Sequence, residues 1–167
     1  VEGEHEFFAN GILVHNTQDG GCATAGVLMG KDAGGTFHVV DVVHGRWDPD
    51  ESNDIIVATA YRDRDRHGPG HVPLVVIEAE RGSTGLESFR SIARRLAGFR
   101  VMEDLPSGSK DVRSEPWGDQ LAAGNVILVE NGQWDLSGYV DEHLAFQPRP
   151  GKRIGGFCDR VDASSMA

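Results

Sequence analysis

The sequence has little of several features that define common protein classes. It contains only two cysteines in 167 residues, and because they are far apart, no disulfide framework is predicted. It has no signal-peptide pattern and no run of about eighteen apolar residues, so no membrane-spanning segment is expected. These absences predict a cytoplasmic protein in a reducing compartment, without a membrane partner.

Basic residues are also few. Lys and Arg number 16 against 26 Asp and Glu, which leaves a net charge of −10. This balance argues against a protein that coats nucleic acid without specificity, because such binding needs clustered cations. It permits a nuclease, since Mg²⁺ is held by carboxylates and a local basic patch can still guide DNA. There is no GxxxxGK[ST] motif, so the chain by itself has no Walker-type phosphate loop.

What the sequence does contain is the composition of one globular domain, with 39% hydrophobic and 25% charged residues. Residues 23–30 and 36–43 have strand composition and are separated by the hairpin turn KDAGG. Helical and strand patterns alternate after this hairpin, which predicts an α/β fold with a mixed β-sheet flanked by helices. Further strands are predicted at 99–105 and 125–129, a mobile polar loop at 108–110, and helices at 48–67, 113–123 and 134–146.

The stretch PLVVIEAERGSTG at residues 73–85 is the most informative part of the chain. Residues 74–77 are apolar and rich in β-branched side chains, which predicts a buried central strand. Glu78 follows, then a Gly-Ser-Thr-Gly turn, and then apolar residues at helical spacing. Functional residues of open α/β sheets lie where strands give way to loops, so Glu78 is the first site candidate. The alternative is a solvated carboxylate near the start of the next helix.

The first sixteen residues have a different character. HEFFANGILVHN followed by Thr17 closely resembles the C-terminal splicing segment of an intein. The resemblance implies that Asn16 cyclises to cleave its own peptide bond, that His15 assists, and that Thr17 is the first host residue. We therefore divide the chain into an intein remnant, 1–16, and a host domain, 17–167. The alternative is an ordinary strand that ends in a His-Asn turn.

Acidic residues in separate segments suggest the chemistry of the host domain. Glu78 ends one segment and Asp159 lies in another, and hard carboxylate oxygens of this kind suit Mg²⁺ or Mn²⁺ in a phosphodiester hydrolase. Asp162 follows Asp159 at a spacing of three, so both would share one face of a helix.

The order of four segments strengthens this interpretation. TAGVLMGKDAGGTFHVVDVVHGRWDPDE, VVIEAERGSTG, SGSKDVRSEPWGDQLAAGNVILVENGQWDLSGYVDEHLAF and CDRVDA together resemble the C-terminal nuclease domain of a phage terminase large subunit. The resemblance implies an RNase H-like fold and a Mg²⁺- or Mn²⁺-dependent endonuclease that cleaves concatemeric viral DNA during genome packaging. It implies catalytic roles for Glu78, Asp159 and Asp162, with Glu78 and Asp159 as metal ligands, and DNA contacts from Lys110 and Arg113 in a loop.

The resemblance also implies a cellular setting and partners. The partners would be double-stranded DNA, the terminase ATPase domain, the small terminase subunit and the portal. The protein would act in the cytoplasm of the host cell, as a phage or prophage protein.

Three departures from the family pattern bear on activity. The family's first catalytic Asp lies on the first strand, a few residues before the position of Thr17, where this chain has intein-like sequence. The family also carries acids where this chain has Cys22 and Cys158, and Asp19 is a candidate replacement ligand. If the motifs are correctly matched, the two cysteines are neighbours near Glu78. We further expect residues 7–14 to form a strand against 23–30, because an open sheet edge is unfavourable.

Two other functions remain as alternatives. One is a non-catalytic interaction domain that keeps the fold but no longer holds two metal ions. The other is a precursor or product of protein splicing, in which the intein-like segment is what matters.

Overall fold

The computed structural model describes residues 8–15, 23–67, 73–79, 82–146 and 158–166, and in the first of these ranges the backbone alone. The described chain forms six strands and five helices. The strands are β1 Phe8–His15, β2 Thr24–Lys31, β3 Phe37–Gly45, β4 Leu74–Glu78, β5 Arg100–Asp104 and β6 Val126–Leu128. The helices are α1 Pro49–His67, α2 Ser83–Arg95, α3 Lys110–Ala122, α4 Leu136–Ala145 and α5 Asp159–Ser165.

All six strands belong to one mixed sheet in the order β5-β4-β1-β2-β3-β6. The consecutive strands β1, β2 and β3 pair antiparallel, whereas β4, β5 and β6 add parallel to their neighbours. Five strands therefore run in one direction and β2 runs in the other. The predicted mixed α/β sheet is confirmed, and the carboxyl ends of β1, β3 and β4 meet at one edge of it.

The strand β1 lies in the middle of this sheet. It pairs with β2 on one side, where Val14 is opposite Gly26, and with β4 on the other, where Val14 is opposite Ile77. The predicted pairing of residues 7–14 with 23–30 is thus confirmed for residues 8–14, which lie opposite residues 26–31. The intein-like segment supplies the central strand that joins the two halves of the sheet.

Alternating side chains of the strands build a hydrophobic core on each face of the sheet. One core packs under α1 and α2 and contains Leu28, Ile56, Ala60, Val75, Ile77, Ile92 and Leu96. The other packs under α3, α4 and α5 and contains Ala25, Val27, Met29, Val39, Val42, Trp117, Tyr139 and Ala163. Val76 packs against the second core, so Glu78, two residues further along β4, belongs to the face that α3 and α5 cover.

The start of α3 differs from the prediction. Residues 108–110 were expected to form a mobile loop, with the helix beginning at Arg113, but the helix begins at Lys110. Ser109 caps it, because its hydroxyl accepts a hydrogen bond from the backbone N–H of Val112. The segment Ser107-Gly108-Ser109 has the composition of a loop, which concealed this cap in the sequence. Lys110 and Arg113 consequently lie one turn apart on a rigid helix.

None of the described helices is both long and apolar enough to cross a membrane.

A buried acid on α1 gives the fold a specific pH dependence. Asp63 is fully buried, and its Oδ2 has no hydrogen-bond partner among the described residues, while Oδ1 accepts from Arg62 Nε at 2.9 Å. Burial raises the pKa of Asp63 despite the neighbouring Arg62. The protonated acid therefore favours folding, and this stability is present below the ordinary pKa of 3.8 and is lost as the pH rises through the raised pKa.

We expect Asp63→Asn to gain stability relative to the parent chain as the pH rises from about 4 to about 7, because the amide has no proton to lose. Urea unfolding at several pH values measures this difference. Asp65→Asn, which changes an exposed carboxylate of the same helix, is the matched control. A difference between Asp63→Asn and parent that stays constant with pH would contradict the assignment.

Candidate functional site

The short helix α5 brings two of the predicted acids to the sheet. Asp159 and Asp162 are both almost completely buried, at 5% and 3% exposure, and Ala163 anchors the helix in the core under α3 and α4. Its first turn is capped from another helix, since Glu142 Oε1 accepts from the backbone N–H groups of Arg160 at 2.7 Å and Val161 at 3.3 Å. Glu142 thus fixes the end of α5 that carries Asp159.

This cap predicts a measurable contribution to stability. Glu142→Ala would leave two N–H groups of α5 without an acceptor, and we expect it to cost about 1–2 kcal/mol of unfolding free energy. Glu142→Gln keeps an acceptor oxygen at the same place and should retain more of that stability. Urea denaturation compares the two variants. Equal stability of both with the parent chain would show that α5 does not depend on this cap.

Lys110 of α3 holds Asp162. Its ammonium group forms an ion pair with Asp162 Oδ2 and lies 3.5 Å from Cys158 Sγ. Burial by itself would lower the pKa of Lys110, but the hydrogen bond and charge of Asp162 raise it overall. Burial raises the pKa of the Cys158 thiol to about 11, and the charge of Asp162 acts in the same direction. Cys158 is therefore a neutral thiol, which is a poor metal ligand.

Arg113, one turn along α3, holds the third predicted acid. Its Nη1 lies 3.5 Å from Oε1 of Glu78, the last residue of β4, and both side chains are largely buried. One turn of α3 therefore contacts Glu78 on the sheet and Asp162 on α5 at the same time. The structure brings Glu78 and Asp162, which are far apart in the sequence, to the same helix turn.

His44 is a site residue that the sequence analysis did not single out. It lies near the end of β3, and its Nε2 is 4.0 Å from Asp159 Oδ2. Arg160 Nη2 lies 3.3 Å from His44 Nδ1, and because a guanidinium only donates, Nδ1 accepts and Nε2 carries the proton. Burial, followed by the charge of Arg160, lowers the pKa of His44 and keeps the ring neutral. The sequence offered one indication that His44 belongs to the site, which is its position near the end of a predicted strand, at the same sheet edge as Glu78.

Several predicted residues lie outside the described part of the chain. These are Asn16, Thr17, Asp19 and Cys22, so the expected proximity of Cys22 and Cys158 also falls outside it. His15 is the last residue of β1, and the register places this end of the strand beside Glu78, since Val14 is opposite Ile77.

The donor chemistry of the site fits a hard divalent cation, because Glu78, Asp159 and Asp162 offer only carboxylate oxygens. Within the described ranges, no three Asp, Glu, His or Cys side chains are grouped so that they could hold a metal ion. Lys110 and Arg113 instead neutralise two of the three acids. Glu78 and Asp162 therefore contact the same helix turn, and each is paired with a protein cation.

Comparison with known proteins gives matches to solved structures. No family model and no curated protein match the chain. Two solved structures of the human cytomegalovirus terminase nuclease domain, both soaked with Mn, are similar to it, with TM-scores of 0.68 for the inhibitor-bound structure and 0.64 for the other. The chain has the fold of a terminase nuclease domain. The predicted RNase H-like architecture is confirmed.

The similarity in fold to the two cytomegalovirus structures comes with very low sequence identity. Identity to the two cytomegalovirus structures is 12% and 13%, and each match covers 96% of this chain and 81% of the other. The shared property is the arrangement of strands and helices, and the chemistry of this chain has to be argued from its own residues.

Proposed function

We propose that the chain is a metal-dependent endonuclease domain that cuts concatemeric viral DNA during genome packaging. The observation that carries this proposal is the contact of one turn of α3 with both Glu78 and Asp162, within a terminase nuclease fold. Buried carboxylates from a strand end and a helix are costly without cations, and such clusters are characteristic of functional sites. The two similar solved structures are nuclease domains that were soaked with Mn.

The predicted ligands Glu78 and Asp159 would hold Mg²⁺ or Mn²⁺, with Asp19 as a further candidate. To these we add Asp162, which was predicted as a catalytic acid only, because it contacts the same turn of α3 as Glu78 does. Such a cation, when bound, polarises a phosphoryl oxygen and stabilises charge on the leaving oxygen. The chain's own contribution is to fix the acids. The last residue of β4 is held by the sheet, while Glu142 and the core position of Ala163 fix α5.

Lys110 and Arg113 would contact DNA phosphates, because both are cations at the acid site. The partners by resemblance are double-stranded DNA, a terminase ATPase domain, the small terminase subunit and the portal. The chain would be part of a phage or prophage protein that acts in the cytoplasm of the host cell. Residues 1–16 would be an intein remnant, with a splice junction at His15, Asn16 and Thr17.

One observation favours a second candidate, a non-catalytic interaction domain. Two of the acids are neutralised by Lys110 and Arg113, and β1, with the sequence FANGILVH, contributes no carboxylate next to Glu78. A site that has lost one bridging ligand would hold metal weakly. We therefore expect low activity even if the nuclease function is correct.

Cleavage of a supercoiled plasmid in the presence of Mn²⁺ tests the proposal. We expect slow nicking that Glu78→Gln lowers at least about 100-fold, because a metal ligand contributes transition-state stabilisation that an amide does not. Glu87→Gln, an exposed carboxylate on α2, is the control and should cut like the parent chain. Cleavage that persists in Glu78→Gln would refute the site, and the absence of both Mn²⁺ binding and cleavage would favour the interaction domain.

A further inference from the structure

Lys110 and Arg113 form ion pairs with two of the acids that we propose as metal ligands. Lys110 pairs with Asp162 Oδ2, and Arg113 pairs with Glu78 Oε1. The acids' side chains are 2% and 9% exposed, so water cannot solvate their charges well. The two cations offset the cost of burying the carboxylates.

A protein cation and a divalent ion cannot both take the same carboxylate oxygen. Lys110 pairs with Oδ2 of Asp162 and Arg113 with Oε1 of Glu78, so a divalent ion that bound either oxygen would have to displace a protein cation. We propose that Lys110 and Arg113 are positioning residues that hold the acids in the absence of metal and are displaced when a divalent ion binds. This inference rests on the proposed metal-dependent function.

Once displaced, Lys110 and Arg113 can bind the phosphate groups of DNA. The Lys110 side chain is 42% exposed, so it can reach solvent, and Arg113 Nε is a buried donor with no acceptor among the described residues. A phosphate offers oxygens to both groups, and guanidinium binds phosphate with two parallel hydrogen bonds. Lys110 and Arg113 therefore pass from carboxylate to DNA phosphate when metal enters, and metal and DNA bind with positive cooperativity. By linkage, each ligand raises the affinity for the other by the same factor.

Direct measurement of Mn²⁺ affinity on the full chain tests the first step. Isothermal titration, or electron paramagnetic resonance of free Mn²⁺, gives the dissociation constant without any cleavage reaction. We expect Lys110→Met and Arg113→Met to bind Mn²⁺ at least about five-fold more tightly than the parent chain, because the ion no longer displaces a cation. Lys110→Arg, which keeps the charge, should bind like the parent chain. Arg94→Met, an exposed cation of α2, is the control.

Loss of Lys110 leaves Asp162 buried without a cation, which can destabilise the fold. Lys110→Gln retains a donor to Asp162 without the charge, and it serves as the second variant. Circular dichroism and thermal unfolding establish which variants are folded before their affinities are compared.

Binding of a fluorescent DNA duplex tests the second step, with Ca²⁺ as the divalent ion. Ca²⁺ is expected to tighten DNA binding by the parent chain and by Arg94→Met. The gain should be lost in Lys110→Met and Arg113→Met, because these variants have no displaced cation to offer to phosphate.

The outcomes separate this inference from the proposed function. Mn²⁺ binding by the parent chain that is unchanged or weaker in the folded variants overturns the inference and leaves the metal site standing. Mn²⁺ binding by Lys110→Met and Arg113→Met, but not by the parent chain, supports the inference and shows that the two cations block the metal site. No binding by any chain, including the variants, overturns both.

Discussion

A chain that begins at Thr17 is expected to lose the folded state of the domain. The missing residues include β1, which is hydrogen-bonded to β2 on one side and to β4 on the other. Its removal separates the sheet into two parts and exposes two new strand edges. Single domains are stable by only about 5–15 kcal/mol, so we expect loss of the central strand to abolish folding.

Far-ultraviolet circular dichroism and gel filtration measure this effect. The control chain begins at Phe8, which retains all of β1 and should unfold cooperatively like the parent chain. Addition of a synthetic peptide covering residues 1–16 should restore structure to the truncated chain. A chain from Thr17 that folds and melts like the parent would show that the sheet does not need β1.

The truncation also bears on the intein hypothesis. Cleavage after Asn16 would break the covalent link between β1 and β2, so that only the hydrogen bonds and packing of β1 would then hold it in the sheet. Mass spectrometry for loss of residues 1–16 reports whether the junction at His15, Asn16 and Thr17 is reactive. A cleaved chain that stays folded until its two pieces are separated would agree with the expected effect of the added peptide.

The second large effect is expected from His15→Asp. The register of β1 and β4 places the position of His15 beside Glu78, and the terminase resemblance implies a missing acid on this strand. A carboxylate there would add a ligand where β1 now has none. We expect Mn²⁺ to bind at least about ten-fold more tightly, which corresponds to about 1.4 kcal/mol, and plasmid cleavage to rise by a larger factor.

His67→Asp, an acid added at the exposed end of α1, is the control for the change in net charge. It should alter neither Mn²⁺ affinity nor cleavage. Equal gains from both substitutions would mean that general electrostatic attraction, rather than a ligand at the end of β1, causes the effect. No gain from His15→Asp in a folded protein would contradict the placement of the missing acid.

Local patterns in the sequence predicted most of the fold. The apolar run before Glu78 predicted β4, the hairpin turn KDAGG predicted the β2–β3 pair, and the apolar content of FFANGILV predicted its place beside β2. These features depend on side-chain alternation and turn chemistry, which a single sequence contains. The predicted start of α3 was wrong because the Ser cap lies in the segment Ser107-Gly108-Ser109, whose composition is that of a loop.

The contacts within the site could not be predicted from local sequence patterns. Lys110 and Arg113 were assigned to a loop that contacts DNA, but the structure pairs them with Asp162 and Glu78. These pairs depend on how α3 and α5 pack across the sheet, which local sequence does not encode. His44 was missed for the same reason, because its contact with Asp159 comes from two segments far apart in the chain.

The most direct measurement of the proposed metal site is anomalous diffraction from crystals of the full chain soaked in Mn²⁺. We expect a manganese peak within about 2.0–2.6 Å of carboxylate oxygens of both Glu78 and Asp159, with Lys110 displaced from Asp162. A well-ordered site without a manganese peak, or peaks bound only to acids elsewhere on the surface, would contradict the proposed metal-dependent nuclease.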